Sequence, residues 1–338
     1  AQLGDGQTLW IRFAVPPTQE AERRYLEVPY SSVDRVTLYA RDPFGQWVLR
    51  QTAGDAIAVS RWPVPHRYPL LPVATSAERP TPYLMRVQNM HGFSAPLKFA
   101  AESQVSRADQ RVALILGAFF GLAGLACVIS LLSAVSLRDS TYGVYALSVL
   151  LMALTQAAMT GMAGLHLWPD SPVWNDRAPF ALSTIAVAVM MLTLAGVVST
   201  RERSPAVYRV VLALFGISLV ASVAMAFSTQ PWRGPLTVLC VSVSSVLTAG
   251  VMFWAWYRGD RYAPWMLLGT LPVAIGAAFP LTRLLGWTAG NGFTPYMMQF
   301  GISIELPVVL VVLMLRTQQQ RENVRRIHGA AHTDPSTG

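Results

Sequence analysis

The sequence predicts a membrane protein in three parts: an N-terminal all-β domain of the jelly-roll or sandwich type, a seven-helix transmembrane bundle, and a cytoplasmic signalling helix. Three observations predict it. Charge is scarce, at 13% of residues against 53% hydrophobic, where a soluble domain carries about 25% charged residues. The scarcity is uneven: residues 1–110 hold 12 Lys+Arg and 10 Asp+Glu, whereas residues 111–338 hold only 14 and 8. The second piece is also built from apolar runs of about 20 residues, the length a helix needs to cross hydrocarbon.

The N-terminal piece alternates with period two. Leu9-Trp10-Ile11-Arg12-Phe13 and Val36-Thr37-Leu38-Tyr39-Ala40-Arg41 place apolar side chains on one face and polar ones on the other. Further β-like runs are Tyr25–Val28, Trp47–Arg50, Tyr68–Leu71, Tyr83–Val87 and Pro96–Ala100. Turn residues separate them, including Asp42-Pro43-Phe44-Gly45 and Gly54-Asp55. That many short strands in about a hundred residues point to two packed sheets.

Seven segments qualify as spans: Val112–Val135, Thr141–Gly164, Pro179–Ser199, Tyr208–Ser228, Pro235–Trp256, Pro264–Gly286 and Tyr296–Leu315. With residues 1–110 outside, the inner side receives Arg138, Arg201, Arg203, Arg209, Arg258, Arg261, Arg316, Arg321, Arg325 and Arg326. The outer loops receive only Arg177 and Arg233. Basic residues gather on the cytoplasmic side, so the first domain is expected outside and the tail inside. Trp168, Trp174, Trp232, Trp254, Trp256, Trp265 and Trp287 fall at segment ends, as an interfacial aromatic belt requires. The sequence opens on Ala1–Gln7, which is neither basic nor apolar; export of the β domain therefore implies a leader removed or lying upstream.

After the last span, Leu313, Thr317, Gln320, Val324, Ile327 and Ala331 follow heptad spacing. The helix is expected to continue into the cytoplasm and to pair with a second copy there. The expected divisions are a sensor domain over 1–108, the bundle over 109–315, a connector helix over 316–332, and the start of an output domain over 333–338.

Several functions are excluded. The net charge of +8 sits in loops and tail, not on one face, so no nucleic-acid partner is expected. His166, His328 and His332 have no metal-ligand spacing, and H-E-x-x-H, G-x-S-x-G, a Walker loop and C-x-x-C are all missing. No catalytic residue and no metal site are expected. Lys98, the only lysine, lies outside the spans, which rules out a retinal Schiff base.

Candidate binding residues in the β domain are Trp47, Arg61, Trp62, His66 and Arg67, since aromatic faces flanked by polar groups suit a carbohydrate or other small ligand. Within the membrane, Glu305 is the informative residue. A mid-span carboxyl is costly unless paired or neutral; it should face the bundle, and it precedes Pro307, which can kink the helix. Arg283, near the outer end of the sixth span, is a third candidate for coupling.

Assembled in this order, the segments resemble the bacterial seven-transmembrane receptors with diverse intracellular signalling modules. Leu9–Phe13, Val36–Tyr39, the turn at Gly45, Gly54-Asp55 with Arg61, and Tyr83–Val87 are similar to that family's outer-domain pattern. Leu137-Arg138-Asp139-Ser140-Thr141-Tyr142 with Tyr145 resembles its first inner loop, and Ile304-Glu305-Leu306 a recurring acidic position in the seventh helix. The last residues, with Thr333, Asp334, Thr337 and Gly338, resemble the opening of a GGDEF domain, the diguanylate cyclase fold, although Ser336 replaces the usual leucine. The resemblance implies a receptor in the bacterial inner membrane, periplasmic at its N-terminal domain. It implies cyclic di-GMP synthesis as the output, using Mg2+ and GTP only in a downstream domain. Alternatives left open are a histidine kinase or other output on the same architecture, or a transporter with a β cap.

Overall fold

The computed structural model of the chain describes residues 8–18, 22–90, 97–229, 231–284 and 296–332. Seven described strands form two antiparallel sheets. β1 (Thr8–Val15), β6 (Thr81–Gln88), β3 (Arg35–Arg41) and β4 (Trp47–Ala53) lie in the order β1-β6-β3-β4. β5 (Leu70–Val73), β2 (Arg24–Glu27) and β7 (Lys98–Ala101) lie in the order β5-β2-β7. This is a sandwich.

The period-two alternation is visible in the burial. In β6, Tyr83, Met85 and Val87 turn inward, while Leu84, Arg86 and Gln88 are only partly covered. They meet Val36 and Leu38 of β3 and Leu26 and Leu71 of the facing sheet. In the β3–β4 pair the register slips between Leu38 and Tyr39, which face Gln51 and Leu49, so Arg50 bulges out of the ladder.

β7 runs directly into α1 (Glu102–Leu137). The first turn of α1 is fastened to the sandwich, because Glu102 N–H donates to the Arg23 carbonyl at 3.0 Å and Ser103 N–H to Glu22 Oε1 at 2.6 Å. There follow α2 (Ser140–Met159), the short α3 (Met162–His166), α4 (Pro172–Val197), the single turn α5 (Thr200–Arg203), α6 (Pro205–Phe227), α7 (Arg233–Tyr257), α8 (Ala263–Leu284) and α9 (Met297–His332). Six of these, α1, α2, α4, α6, α7 and α9, are long and apolar enough to cross a membrane, and α8 adds an apolar stretch over Ala263–Phe279. α4 sits centrally, packed by α2, α6 and α7, while α9 lies along α8 and α1.

Burial in α1 follows one side of the helix: Val105 packs on Tyr25, Leu70 and Ala100 of the sandwich, and further along Phe119, Ala123 and Ala126 face the bundle core. Leu114, Leu125, Leu132 and Val135 are exposed. An apolar residue left exposed in the middle of so apolar a helix belongs against lipid.

The sandwich and the far end of α9 sit at opposite ends of the bundle. The sandwich touches residues 159–176, whereas Arg316 of α9 touches residues 196–199 at the other end of α4. α9 extends well past its last bundle contact as a continuous helix to His332.

Candidate functional site

Polar contacts run from the sandwich–bundle seam, through the α2–α9 interface, to the start of the tail. The seam is made by loops on both sides. Ser31 Oγ donates to the Met159 carbonyl at 2.7 Å, at the end of α2. Ser60 N–H donates to the Pro169 carbonyl at 3.3 Å and its hydroxyl to Asp170 Oδ1 at 2.5 Å. Leu165 of α3 packs into the sandwich core. Gly161, at φ +78°, lies so close to the Arg67 carbonyl that a Cβ there would stand 1.8 Å from the oxygen. Only glycine fits both that backbone and that gap.

His66 is also at the seam. Its Nε2 lies 3.1 Å from both carboxylate oxygens of Asp109 in α1, and its Nδ1 lies 3.2 Å from the Tyr68 carbonyl. The Tyr68 hydroxyl donates to Glu27 Oε1 at 2.9 Å. Burial pushes that phenol above its ordinary range.

Behind these contacts four charged side chains converge. Asp34 precedes β3 and Asp55 follows β4, and the pairing of Val36 with Ala53 makes them neighbours at the open end of the hairpin. Gly54, at φ +137°, permits the approach, since a Cβ there would meet the Asp34 carbonyl oxygen at 2.4 Å. From the bundle come Asp176, in the first turns of α4, and Arg233, the first residue of α7. Arg233 is only 2% exposed and grips Asp176 with both terminal nitrogens, at 2.8 and 3.1 Å. Its guanidinium also lies over the Phe180 ring at 5.1 Å.

Inside the bundle, polar groups of α2 and α9 meet at three levels. Gln299 Nε2 donates to Gln156 Oε1 at 2.9 Å. One level further along, the Tyr145 hydroxyl donates to the Leu306 carbonyl at 2.6 Å, next to Pro307. Tyr142 and Thr317 share a hydrogen bond of 3.1 Å between their hydroxyls. At that last level Arg316 donates to the Gly196 carbonyl at 2.7 Å and to the Ser199 hydroxyl, and the Tyr262 hydroxyl donates to Gln319 Oε1 at 2.7 Å. Arg203 and Asp260, 2.7 Å apart, tie α5 to the start of α8 nearby.

Arg61, Trp62, His66 and Arg67 all come from the segment that faces the bundle. Trp62 is a core residue whose indole N–H is shared by the Gly54 and Ile57 carbonyls at 3.1 Å each. Arg61 is exposed, and Arg67 lays its guanidinium over Tyr68 at 4.5 Å. Trp47 stands apart from them, on the edge strand β4 with Arg41 over its ring at 5.2 Å. Glu305 faces the bundle as expected, 3% exposed, with no hydrogen-bond partner for Oε2 among the described residues. Pro307 lies inside a helix that continues past it. The side chain of Arg283 and the residues Thr333, Asp334, Thr337 and Gly338 lie outside the described residues.

Asp34, Asp176, Gln156 and Gln299 carry no signal of their own in the sequence, and Asp55 and Arg233 stand out there only as a turn residue and a topology marker. Arg233 is one of only two arginines in the expected outer loops, and it abuts an apolar run.

A sandwich seated on a bundle of apolar helices, with a long helix leaving the opposite end, is the frame of the molecule, and the family it matches makes it a transmembrane receptor for intracellular signalling. The chain belongs to the family of 7TM diverse intracellular signalling proteins, whose pattern matches residues 113–316. Residues 5–101 match the extracellular domain 2 of the same receptors. None of the curated proteins and none of the solved structures matches the chain.

Proposed function

We propose that the chain senses a periplasmic or intramembrane event and transmits it to a cytoplasmic output domain that makes cyclic di-GMP. The observation that carries this reading is the continuity of the α2–α9 path. The sandwich touches the end of α2, three polar contacts hold α2 to α9, and α9 runs on as one helix to His332. A shift of the seam therefore has a mechanical route to the tail. Two arrangements of this path, differing by a few kcal/mol, would suffice for a switch.

The arginine bias supports a periplasmic sandwich and a cytoplasmic tail. The resemblance of Thr333, Asp334, Thr337 and Gly338 to the opening of a GGDEF domain supports the cyclase. Joining two GTP molecules needs two facing active sites, so a dimer through the tail is the natural geometry. Leu313 and Thr317 are engaged within the bundle, which leaves the heptad spacing of Gln320, Val324, Ile327 and Ala331 for the proposed pairing. GTP and Mg2+ belong to the output domain.

The gene tests this directly. The codons after Gly338 should specify Asn-Arg and then GG[DE]EF within about a hundred residues, and cells expressing the whole gene should hold raised cyclic di-GMP. A histidine-kinase sequence there would retain the receptor and replace the output.

A further inference from the structure

We propose that Asp34, Asp55 and Asp176 form a binding site for a hard divalent cation, of the Ca2+ or Mg2+ class, that ties the sandwich to the bundle. One ligand oxygen from each carboxylate lies within 4.8 Å of the others. Two ligands on opposite sides of a cation with bonds of about 2.3–2.6 Å span nearly that distance.

Acidic residues gather on many proteins without an ion, and here a second observation points to one. Asp55 is 3% exposed and aimed into the cluster, and its Oδ1 has no hydrogen-bond partner among the described residues. Buried polar atoms are almost always paired, and an unpaired buried charge is especially costly. Burial first, and then the charges of Asp176 and Asp34, drive the Asp55 carboxyl well above its ordinary range, with Arg233 pulling the other way.

Charge counting agrees. With Asp55 ionised, three carboxylates and the one guanidinium of Arg233 carry a net charge of minus two around one buried and two half-buried side chains, and one divalent cation balances it. The donors are all carboxylate oxygens, with no thiol or imidazole in the group, which selects hard cations over zinc or copper. Arg233 keeps Asp176 oriented but repels the ion, so the affinity belongs in the range of extracellular modules, about 0.1–1 mM.

The consequence concerns the joint. Two ligands come from the sandwich and one from α4, so the ion is held only when the two parts are apposed. Anything that binds the apposed arrangement alone must favour it. This site stands on its own geometry and does not depend on which output domain follows.

The test uses the whole chain in nanodiscs, stripped with chelator and titrated with CaCl2 or MgCl2. Tb3+ emission sensitised by tryptophan should appear and be displaced by either cation at about 1 mM or below. Both cations should raise the unfolding temperature of the parent. Asp55→Asn and Asp176→Asn should each weaken Tb3+ binding by about tenfold or more, since even outer-shell partners of a metal are worth 10–100-fold. Asp55→Asn removes a buried charge, so in chelator it should unfold no earlier than the parent, which separates loss of the ion from loss of the fold. Tb3+ binding that is equal in the parent and both variants would overturn the proposal. So would an unfolding temperature that ignores both cations but rises on acidification, because a proton would then close the charge balance.

Discussion

Tyr145 shows how much a single side chain in this bundle can decide. Its ring is fully buried and its hydroxyl reaches across to the Leu306 carbonyl, beside the one proline inside α9. Tyr145→Phe should cost about 0.5–1.5 kcal/mol while leaving the packing intact, and the thermal unfolding of the two proteins in the same nanodiscs measures it. Glu305 is the neighbouring residue with an unpartnered buried oxygen. If the output is the proposed cyclic di-GMP synthesis, Glu305→Gln should change it in the whole gene product without changing the amount in the membrane fraction; identical output across a range of stimuli would count against a coupling role. Glu22 offers a pH test outside the membrane. Its carboxylate accepts the Ser103 N–H at the start of α1, and those bonds to Ser103 hold its carboxyl below the ordinary value. The folded value is depressed, so the stabilisation is present above the ordinary carboxylate range and is lost as pH falls through the depressed value. Glu22→Gln should flatten that part of the acid limb in a pH series of unfolding temperatures.

At the scale of elements, legibility in the sequence followed the strength of the pattern. The apolar runs were unmistakable because lipid forces every backbone group to be satisfied within the helix, and the alternation in β1, β3 and β6 was equally plain. The ends were less so. α1 begins at Glu102 and α4 at Pro172, each several residues before its apolar run, because contacts with the sandwich and not lipid extend those first turns. The tail's heptad spacing ran back to Leu313, yet the bundle claims Leu313 and Thr317. Spacing alone does not say which neighbour a stripe will meet. The link from α2 to α3 makes the sharpest prediction at this scale. Gly161→Ala puts a methyl into the Arg67 carbonyl and forces a left-handed backbone on alanine, so it should cost about 1–2 kcal/mol from the backbone alone and more from the clash. Hydrogen exchange should show the seam residues 58–68 opening more readily in the variant, and unchanged exchange would mean that the seam is not held there.

For the whole molecule, composition located the boundary between sandwich and bundle near Arg111, and the structure makes the two continuous through β7 and α1. What composition could not show was the seam. Asp34, Asp55, Asp176 and Arg233 come from four separate stretches of chain, and nothing in their local spacing announces that folding brings them together. Gly54-Asp55 read as a turn, which it is, and the turn is what delivers Asp55 to the bundle. Of the expected ligand residues, Trp62 packs in the sandwich core and His66 lies against Asp109 of α1. The central requirement of signalling by this route is that the sandwich and the tail lie on opposite sides of the membrane. It is tested by replacing Cys127 and Cys240, placing one cysteine at the exposed Arg50 or at the exposed Gln318, and labelling intact cells with a membrane-impermeant maleimide. Arg50→Cys should label at once and Gln318→Cys only after the membrane is breached. Labelling of both from the outside, or of neither, would contradict the account.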